Sequence, residues 1–248
     1  MSQHSARSPE PPAFVAEDLG GASVGSTVRI PGAEAHHALN VMRVRVGDEV
    51  SIVDGLGMRA RAEVTDTSRS HVDVTVLAVT VEPQPAPRII AVQALIKGDR
   101  GERAVETMTE VGVDVIVPWS AQRSITQWRD ERAERGTRKW EDAARAAAKQ
   151  SRRSWFPDIA PVASTRDVIA LVGGVELALL LDESAREPMR DVAIPGSGSI
   201  VIIIGPEGGV SDDERDAFVA AGARPVRLGP TVLRASTAGT VAAGIALS

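Results

Sequence analysis

Apolar and polar residues alternate with a period of two through residues 14–81, in the segments STVRI, DEVSIVDG, MRARAEVTDT and HVDVTVLAVTV. Half-buried strands generate that period, and Gly and Asp interrupt it where the chain turns. No long amphipathic helix breaks the run, so a small β-barrel or sandwich is expected. The pattern stops at Glu82-Pro83-Gln84-Pro85-Ala86-Pro87. Proline at every second position is stiff, extended and excluded from sheet interiors, which marks a linker.

Beyond the linker the period lengthens. RIIAVQALI reads as a strand, GERAVETMTEVGV as a helix closed by Gly112, DVIVPW as a strand and residues 137–153 as an Ala-rich helix. ELALLLDE and SIVIIIGPEGG are continuous apolar runs, the mark of strands buried on both faces. A helix over Asp212 to Ala221 follows, with Ser211 as N-cap, Glu214 at the capping-box position and Gly222 to end it. RPVRLG supplies a last strand and residues 236–247 a last helix. Strands alternating with helices predict an α/β fold around a parallel sheet covered on both sides. The expected organisation is a β domain over 1–82 with 1–12 flexible, a linker over 83–87, and an α/β domain over 88–248.

At 248 residues the chain can bury two ordinary cores. It has no cysteine, which excludes disulfides, thiolate metal sites and a cysteine nucleophile. His4, His36, His37 and His71 lack metal-binding spacing, so no metal is expected. No stretch approaches the roughly 18 apolar residues of a membrane span, and MSQHSARSPEPP has no signal-peptide core. A soluble cytoplasmic protein is expected.

The net charge of −5 is uneven: residues 123–153 hold ten Lys/Arg and five Asp/Glu, leaving 18 basic and 28 acidic residues elsewhere. A cationic region in an acidic body implies a localised anionic partner. Arg145, Lys149 and Arg152 fall at i, i+4 and i+7 of the predicted helix with alanines opposite, and Arg153 adds to the stripe. Phosphate contact is one reading and a solvated face is the ordinary alternative. Aromatic residues make up only 3% of the chain, against a reader built on stacked bases.

The turn Gly205-Pro206-Glu207-Gly208-Gly209 joins a strand to a helix, yet it has neither a phosphate-loop lysine nor dinucleotide glycine spacing. A plain tight turn is the ordinary reading. Ligands of open α/β sheets nevertheless sit beyond the carboxyl ends of the strands. Gly208 and Gly209 would let one approach the backbone closely, and Pro206 fixes the turn. Glu207, Asp212 and Asp213 would repel a phosphate, which favours a neutral or cationic ligand. A second turn lies in LGPTVLRASTAG, residues 228–239, with Ser236 or Thr237 as a helix cap. Two Gly-Pro turns closing neighbouring strands would wall one pocket. Arg234 at its mouth would face a developing anion, or simply solvent.

Taken in order, HHALNVMRVRVGDEV, KGDRGERAVETMTEVGV, AAAKQSRR, IIIGPEGGVSDDE and LGPTVLRASTAG make the chain resemble the RsmE family of ribosomal RNA methyltransferases, within the SPOUT superfamily. The resemblance implies S-adenosylmethionine-dependent methylation of N3 of a specific uridine in 16S ribosomal RNA, with the small ribosomal subunit as partner. It implies an N-terminal PUA-like RNA-binding β-barrel, a C-terminal SPOUT α/β domain with a deep trefoil knot, and a homodimer. By position it implies Leu181, Gly205, Glu207, Gly208, Leu228, Val232 and Leu233 around the cofactor. Lys97, Arg100, Gln150, Arg153 and Arg234 fall near the RNA or target base, Arg234 and Arg153 as catalytic residues, with Asn40 and Arg43 on the barrel side. Two positions depart from the family's pattern. Pro12-Ala13 precede Phe14 where an arginine is common, and Ala235-Ser236-Thr237-Ala238 stand where T-E-T-A is common. Ribose 2′-O methylation and a non-catalytic RNA-binding or ribosome-assembly role are the alternatives. Covalent carbon-5 methylation is excluded by the absent cysteine, and a nucleotide-dependent oxidoreductase is a distant third reading because the dinucleotide glycine pattern is absent.

Overall fold

The period-two segments become the strands of one sheet. In the computed structural model, which describes residues 11–16, 19–128 and 130–248, these are β1 (Ala13–Val15), β2 (Thr27–Pro31), β3 (Glu49–Val53), β4 (Met58–Thr67) and β5 (His71–Val81). Residues 1–10, most of the stretch expected to be flexible, lie outside the described residues. The strands pair in the order β1-β3-β4-β5-β2, antiparallel except for β1 with β3. Alternate residues turn inward: Ala60, Ala62 and Val64 of β4 and Val72, Val74 and Val76 of β5 pack with Phe14, Ile30 and Ile52. Among the described residues β1 and β2 do not pair with each other, so hydrogen bonding leaves an open five-stranded sheet rather than a closed barrel. A short helix α1 (Gly32–His36) and one π-helical turn (His37–Val41) interrupt the strands. Their inward residues are only Ala35 and Ala38, too few and too small to give a helical period in the sequence.

Contacts divide the chain into residues up to Gln84 together with Arg152–Trp155, and Pro85–Ser151 together with Phe156–Ser248. The returning segment is built into the first unit. Trp155 Nε1 donates to the Glu82 carbonyl at 3.0 Å, and Gly57 N donates to the Ser154 carbonyl at 3.0 Å. The Ser154 hydroxyl bonds the Glu82 carboxylate.

The second unit contains β6 (Arg88–Ala94), α2 (Arg100–Val111), β7 (Val115–Trp119), α3 (Glu131–Gln150), β8 (Asp158–Ile159) and α4 (Thr165–Val172). It continues through β9 (Leu177–Leu181), β10 (Ser199–Ile204), α5 (Asp212–Ala220), β11 (Arg224–Val226) and α6 (Ala235–Ala246). Its six strands are all parallel, in the order β11-β9-β10-β6-β7-β8. Ile200, Ile202 and Ile204 of β10 face one core with Met108, Trp140 and Ala242, from α2, α3 and α6. Val201 and Ile203 face the other with Val168 of α4 and Phe218 of α5. A strand serving two cores has no polar face, hence its unbroken apolar run.

Three local features differ from expectation. Helix α3 starts at Glu131 and stops at Gln150, where the Ser151 hydroxyl donates to the Ala147 carbonyl at 2.7 Å and Arg152 turns left-handed at φ 59°. A serine that satisfies the last-turn carbonyl itself competes with continuation of the helix. Arg145 and Lys149 therefore share the helix without Arg152. Helix α6 has Arg234 at its N-cap and no side-chain cap, which places Ser236 and Thr237 inside its first turn rather than at the cap. Helix α4 has no counterpart among the expected elements, although Ser164 and Asp167 form a full capping box ahead of it.

The Trp155 ring lies 2.5 Å from where a Cβ on Gly57 would stand, and Gly57 has φ +97°. Gly57→Ala is expected to destabilise the first unit by about 1–3 kcal/mol, seen as a lower urea midpoint. Gly21→Ala, which meets open space, is expected to stay within about 0.5 kcal/mol of the parent.

Candidate active site

A cavity of about 980 Å³ opens at the carboxyl ends of β9, β10 and β11. Strand β9 lies between β10 and β11, so the two Gly-Pro turns do not close neighbouring strands as expected. The continuation of β9, Leu181 to Ser184, fills the wall between them. All seven residues expected around a cofactor line this one cavity: Leu181, Gly205, Glu207, Gly208, Leu228, Val232 and Leu233. Arg100 and Arg234 line it too. Lys97 stands beside it, its backbone N–H donating to Glu207 Oε1 at 3.4 Å.

The other expected residues are elsewhere. Arg145, Lys149 and Gln150 occupy the last turns of α3, Arg145 and Gln150 exposed and Lys149 half-buried. Asn40 and Arg43 are exposed on the first unit, the Asn40 amide donating to the His36 carbonyl at 3.2 Å and Arg43 left-handed at φ 56°. Arg152 and Arg153 also belong to the first unit, with Arg153 Nε donating to the Trp155 carbonyl at 2.8 Å. None of these lines the cavity.

The glycines of the first turn have separate reasons. A Cβ on Gly205 would stand 2.8 Å from Val210 Cγ2, and one on Gly208 would stand 3.2 Å from the Arg123 carbonyl oxygen. Gly209 needs φ +71°, which side chains resist. Gly208 thus makes room for the neighbouring chain, where the sequence had implied room for a ligand. The Arg123 guanidinium reaches the carbonyls of Gly208 and Val210 at 3.5 and 3.4 Å, tying the same two segments a second way.

Glu214 anchors this end of the sheet. Its side chain is buried, and Oε1 accepts the Gln122 backbone N–H at 2.8 Å and the Thr165 hydroxyl at 2.8 Å. Oε2 accepts the Ser211 hydroxyl at 2.9 Å and the Ser211 N–H at 3.3 Å. The S-x-x-E signal located the capping box and gave no sign of the bonds to residues 122 and 165. Asp182 is held similarly. Burial favours its neutral form, but Ser184 and the Arg215 guanidinium, 2.7 Å away, outweigh that and hold its carboxyl below the ordinary range.

The cavity is less acidic than the turn implied. Asp182, Glu183, Glu207 and Asp212 line it, but so do five arginines. Arg215 pairs with Asp182, Arg100 lies 3.8 Å from Glu207, Arg123 holds the turn carbonyls, and Arg227 donates to the Ala185 carbonyl at 3.1 Å. Arg234 is exposed, and among the described residues its guanidinium has no hydrogen bond or ion pair. It sits at the uncapped start of α6, where the helix dipole adds to its positive charge. In the first unit, potential ligand atoms of Asp66, His71 and Asp73 lie within 4.8 Å of one another, with Asp73 already held by Arg29 at 2.8 Å.

The RNA methyltransferase domain family matches residues 82–247, and the RNA methyltransferase PUA domain family matches residues 30–77. A ribosomal RNA small subunit methyltransferase E from Mycobacterium bovis is 40% identical over 227 residues, covering 89% of this chain and 86% of that protein. The chain belongs to this methyltransferase E family. A Bacillus subtilis member is 29% identical over 220 residues, with 86% of each chain covered. The crystal structure of a Neisseria gonorrhoeae member bound to S-adenosyl methionine superposes with a TM-score of 0.83 at 28% identity, covering 94% of this chain and 95% of that one. The five-stranded sheet is thus part of a PUA domain, and the parallel sheet is that of a methyltransferase. Among the described residues no helix is long and apolar enough to cross a membrane.

Glu214→Ala is expected to lower the unfolding free energy by about 2–4 kcal/mol in urea denaturation, because it strands the buried Ser211 donors and the part-buried ones of Gln122 and Thr165. Asp182 contributes stability that is present above its ordinary pKa and lost as pH falls through its depressed one. Asp182→Asn is therefore expected to lower stability at neutral pH and to flatten the acid limb of the stability profile below about pH 4.

Proposed function

We propose that this enzyme transfers a methyl group from S-adenosylmethionine to N3 of a specific uridine in 16S ribosomal RNA. The observation that carries the proposal is Arg234, whose guanidinium has no partner among the described residues, at the rim of a cavity walled by two Gly-Pro turns at the strand ends. The wall suits the cofactor. Leu181, Leu228, Val232 and Leu233 offer apolar surface to an adenine ring, and the Gly205–Gly209 turn offers backbone polar groups. Glu207, fixed by the Lys97 N–H and near Arg100, adds a carboxylate on the same side.

When bound, the cofactor would supply an activated methyl group on a sulfonium, and uracil N3 must lose its proton to accept it. The protein's task is then position and charge. Loss of the N3 proton spreads negative charge onto the uracil oxygens, and Arg234 with the α6 N-terminus meets it there. Arg153, its Nε fixed on the Trp155 carbonyl, is the second cation assigned to that charge. Lys97, Arg100, Arg145, Lys149, Gln150 and Arg152, with Asn40 and Arg43 of the PUA unit, are assigned to the RNA. The target base must leave its stack to reach the cavity.

The same proposal divides the chain into a PUA-like domain over 1–82, a linker over 83–87 and a SPOUT domain over 88–248 that contains a deep trefoil knot. The all-parallel order, with β10 entering between β9 and β6, supports the knotted class. A homodimer acting in the cytoplasm on the small ribosomal subunit completes it. Exposed Val241 and Leu247 beside the small residues of α6 support a subunit contact there.

Arg234→Ala is expected to lower kcat about 100-fold or more while S-adenosylmethionine affinity by calorimetry changes less than about threefold. Equal losses in both would sink the assignment. Nucleoside mass spectrometry of 16S ribosomal RNA from a strain lacking the protein is expected to show one missing base-methylated uridine. A missing sugar methyl would instead identify a ribose 2′-O enzyme.

A further inference from the structure

The PUA unit carries a second concave surface, a groove of about 290 Å³ on the outer face of its sheet. On β4 the buried residues are Ala60 and Ala62, so Arg59 and Arg61 point to the opposite face. In register, Arg61 lies between Ser51 of β3 and Ala78 of β5, and Ser51 lies beside Ala13 of β1. Three short side chains in one row across the sheet leave a trough alongside the Arg61 side chain. Arg59 Nη2 donates to the Arg152 carbonyl at 2.6 Å, which brings the returning segment, and Arg152 with it, to the same groove. Among the described residues, three arginines and no acidic residue line it. Glu49 stands 3.2 Å from Arg61 and Glu82 stands 3.5 Å from Arg59, as partly exposed pairs of the kind that exchange readily.

We propose that this groove binds the sugar-phosphate backbone of the RNA substrate, at a place separate from the cavity residues and from Asn40 and Arg43. The inference rests on RNA being the substrate, as set out above. Guanidinium groups match phosphate oxygens in a planar, two-pronged way, and the short hydroxyl and methyl floor leaves room for a ribose. Among the described residues no aromatic side chain lines the groove, so it positions the strand without reading bases. It also lacks the large apolar anchor on which protein partners usually depend, which favours nucleic acid over an acidic protein.

The test is binding of a 16S ribosomal RNA transcript, followed by fluorescence anisotropy across a salt series. Arg61→Ala is expected to weaken binding and to reduce the slope of log affinity against log salt by about 0.7–0.9, the loss of one phosphate contact. Thr80 also lines the groove, is exposed, and faces Arg59 in register. Thr80→Glu retains all three arginines and is expected to weaken binding severalfold, and Thr80→Lys to strengthen it. These two variants keep the test decisive should Arg61→Ala fold poorly. S-adenosylmethionine affinity is expected to stay unchanged in all three. Parent-like RNA affinity and salt slope in every variant would overturn the groove. A parent protein that binds S-adenosylmethionine but no RNA would instead overturn the substrate assignment itself.

Discussion

A carboxylate taken out of water must recover its lost hydration from donors within the protein, and Glu214 recovers it from three separate stretches of chain. Ser211 begins α5, Gln122 follows β7 and Thr165 begins α4. Trp119 also donates to the Thr165 hydroxyl, at 3.3 Å, which joins the end of β7 to the same node. The turn after β10 is thereby held from behind, and Gly208 and Arg123 hold it from the side. The cavity has its shape because this turn has no freedom to relax into it. Burying one charge here removes mobility where a cofactor wall needs to be fixed, in keeping with the use of preorganised sites in catalysis.

Much of the fold was legible because burial imposes periods. Strands β4 and β5 occupy the alternating segments from end to end, and β10 is the unbroken apolar run expected of a strand between two cores. Helix limits were less legible. The hydroxyl of Ser151 ended α3 inside a run of good helix formers, and nothing in the spacing of Arg145, Lys149 and Arg152 revealed it. Helix α1 and the π-helical turn after it bury one alanine each, Ala35 and Ala38, and gave no signal.

The site was legible in a different way. Its seven expected cofactor residues come from three stretches separated by β10 and β11, and residue chemistry alone had offered only two Gly-Pro turns and one arginine. Resemblance supplied the positions, and the fold brought them to one cavity. The full charge of that cavity is not legible in the turn, because Arg215 and Arg100 are remote in sequence from the acids they meet, Asp182 and Glu207. Arg59 and Arg61 give no signal in the sequence for a similar reason. In sequence they are the polar half of an alternating strand, and only the register of β1, β3 and β5 shows the short residues beside them.

The four residues Arg152–Trp155 give the PUA unit a discontinuous inheritance. Cutting or exchanging genes at the proline linker would separate this unit from the tryptophan that covers Gly57 and bonds Glu82. The donor of the parallel-sheet half would carry that tryptophan into every recombinant. The two halves must therefore change together at this point, so a graft between distant relatives needs three crossover points, at the linker and on either side of Arg152–Trp155, where one would suffice for a continuous unit.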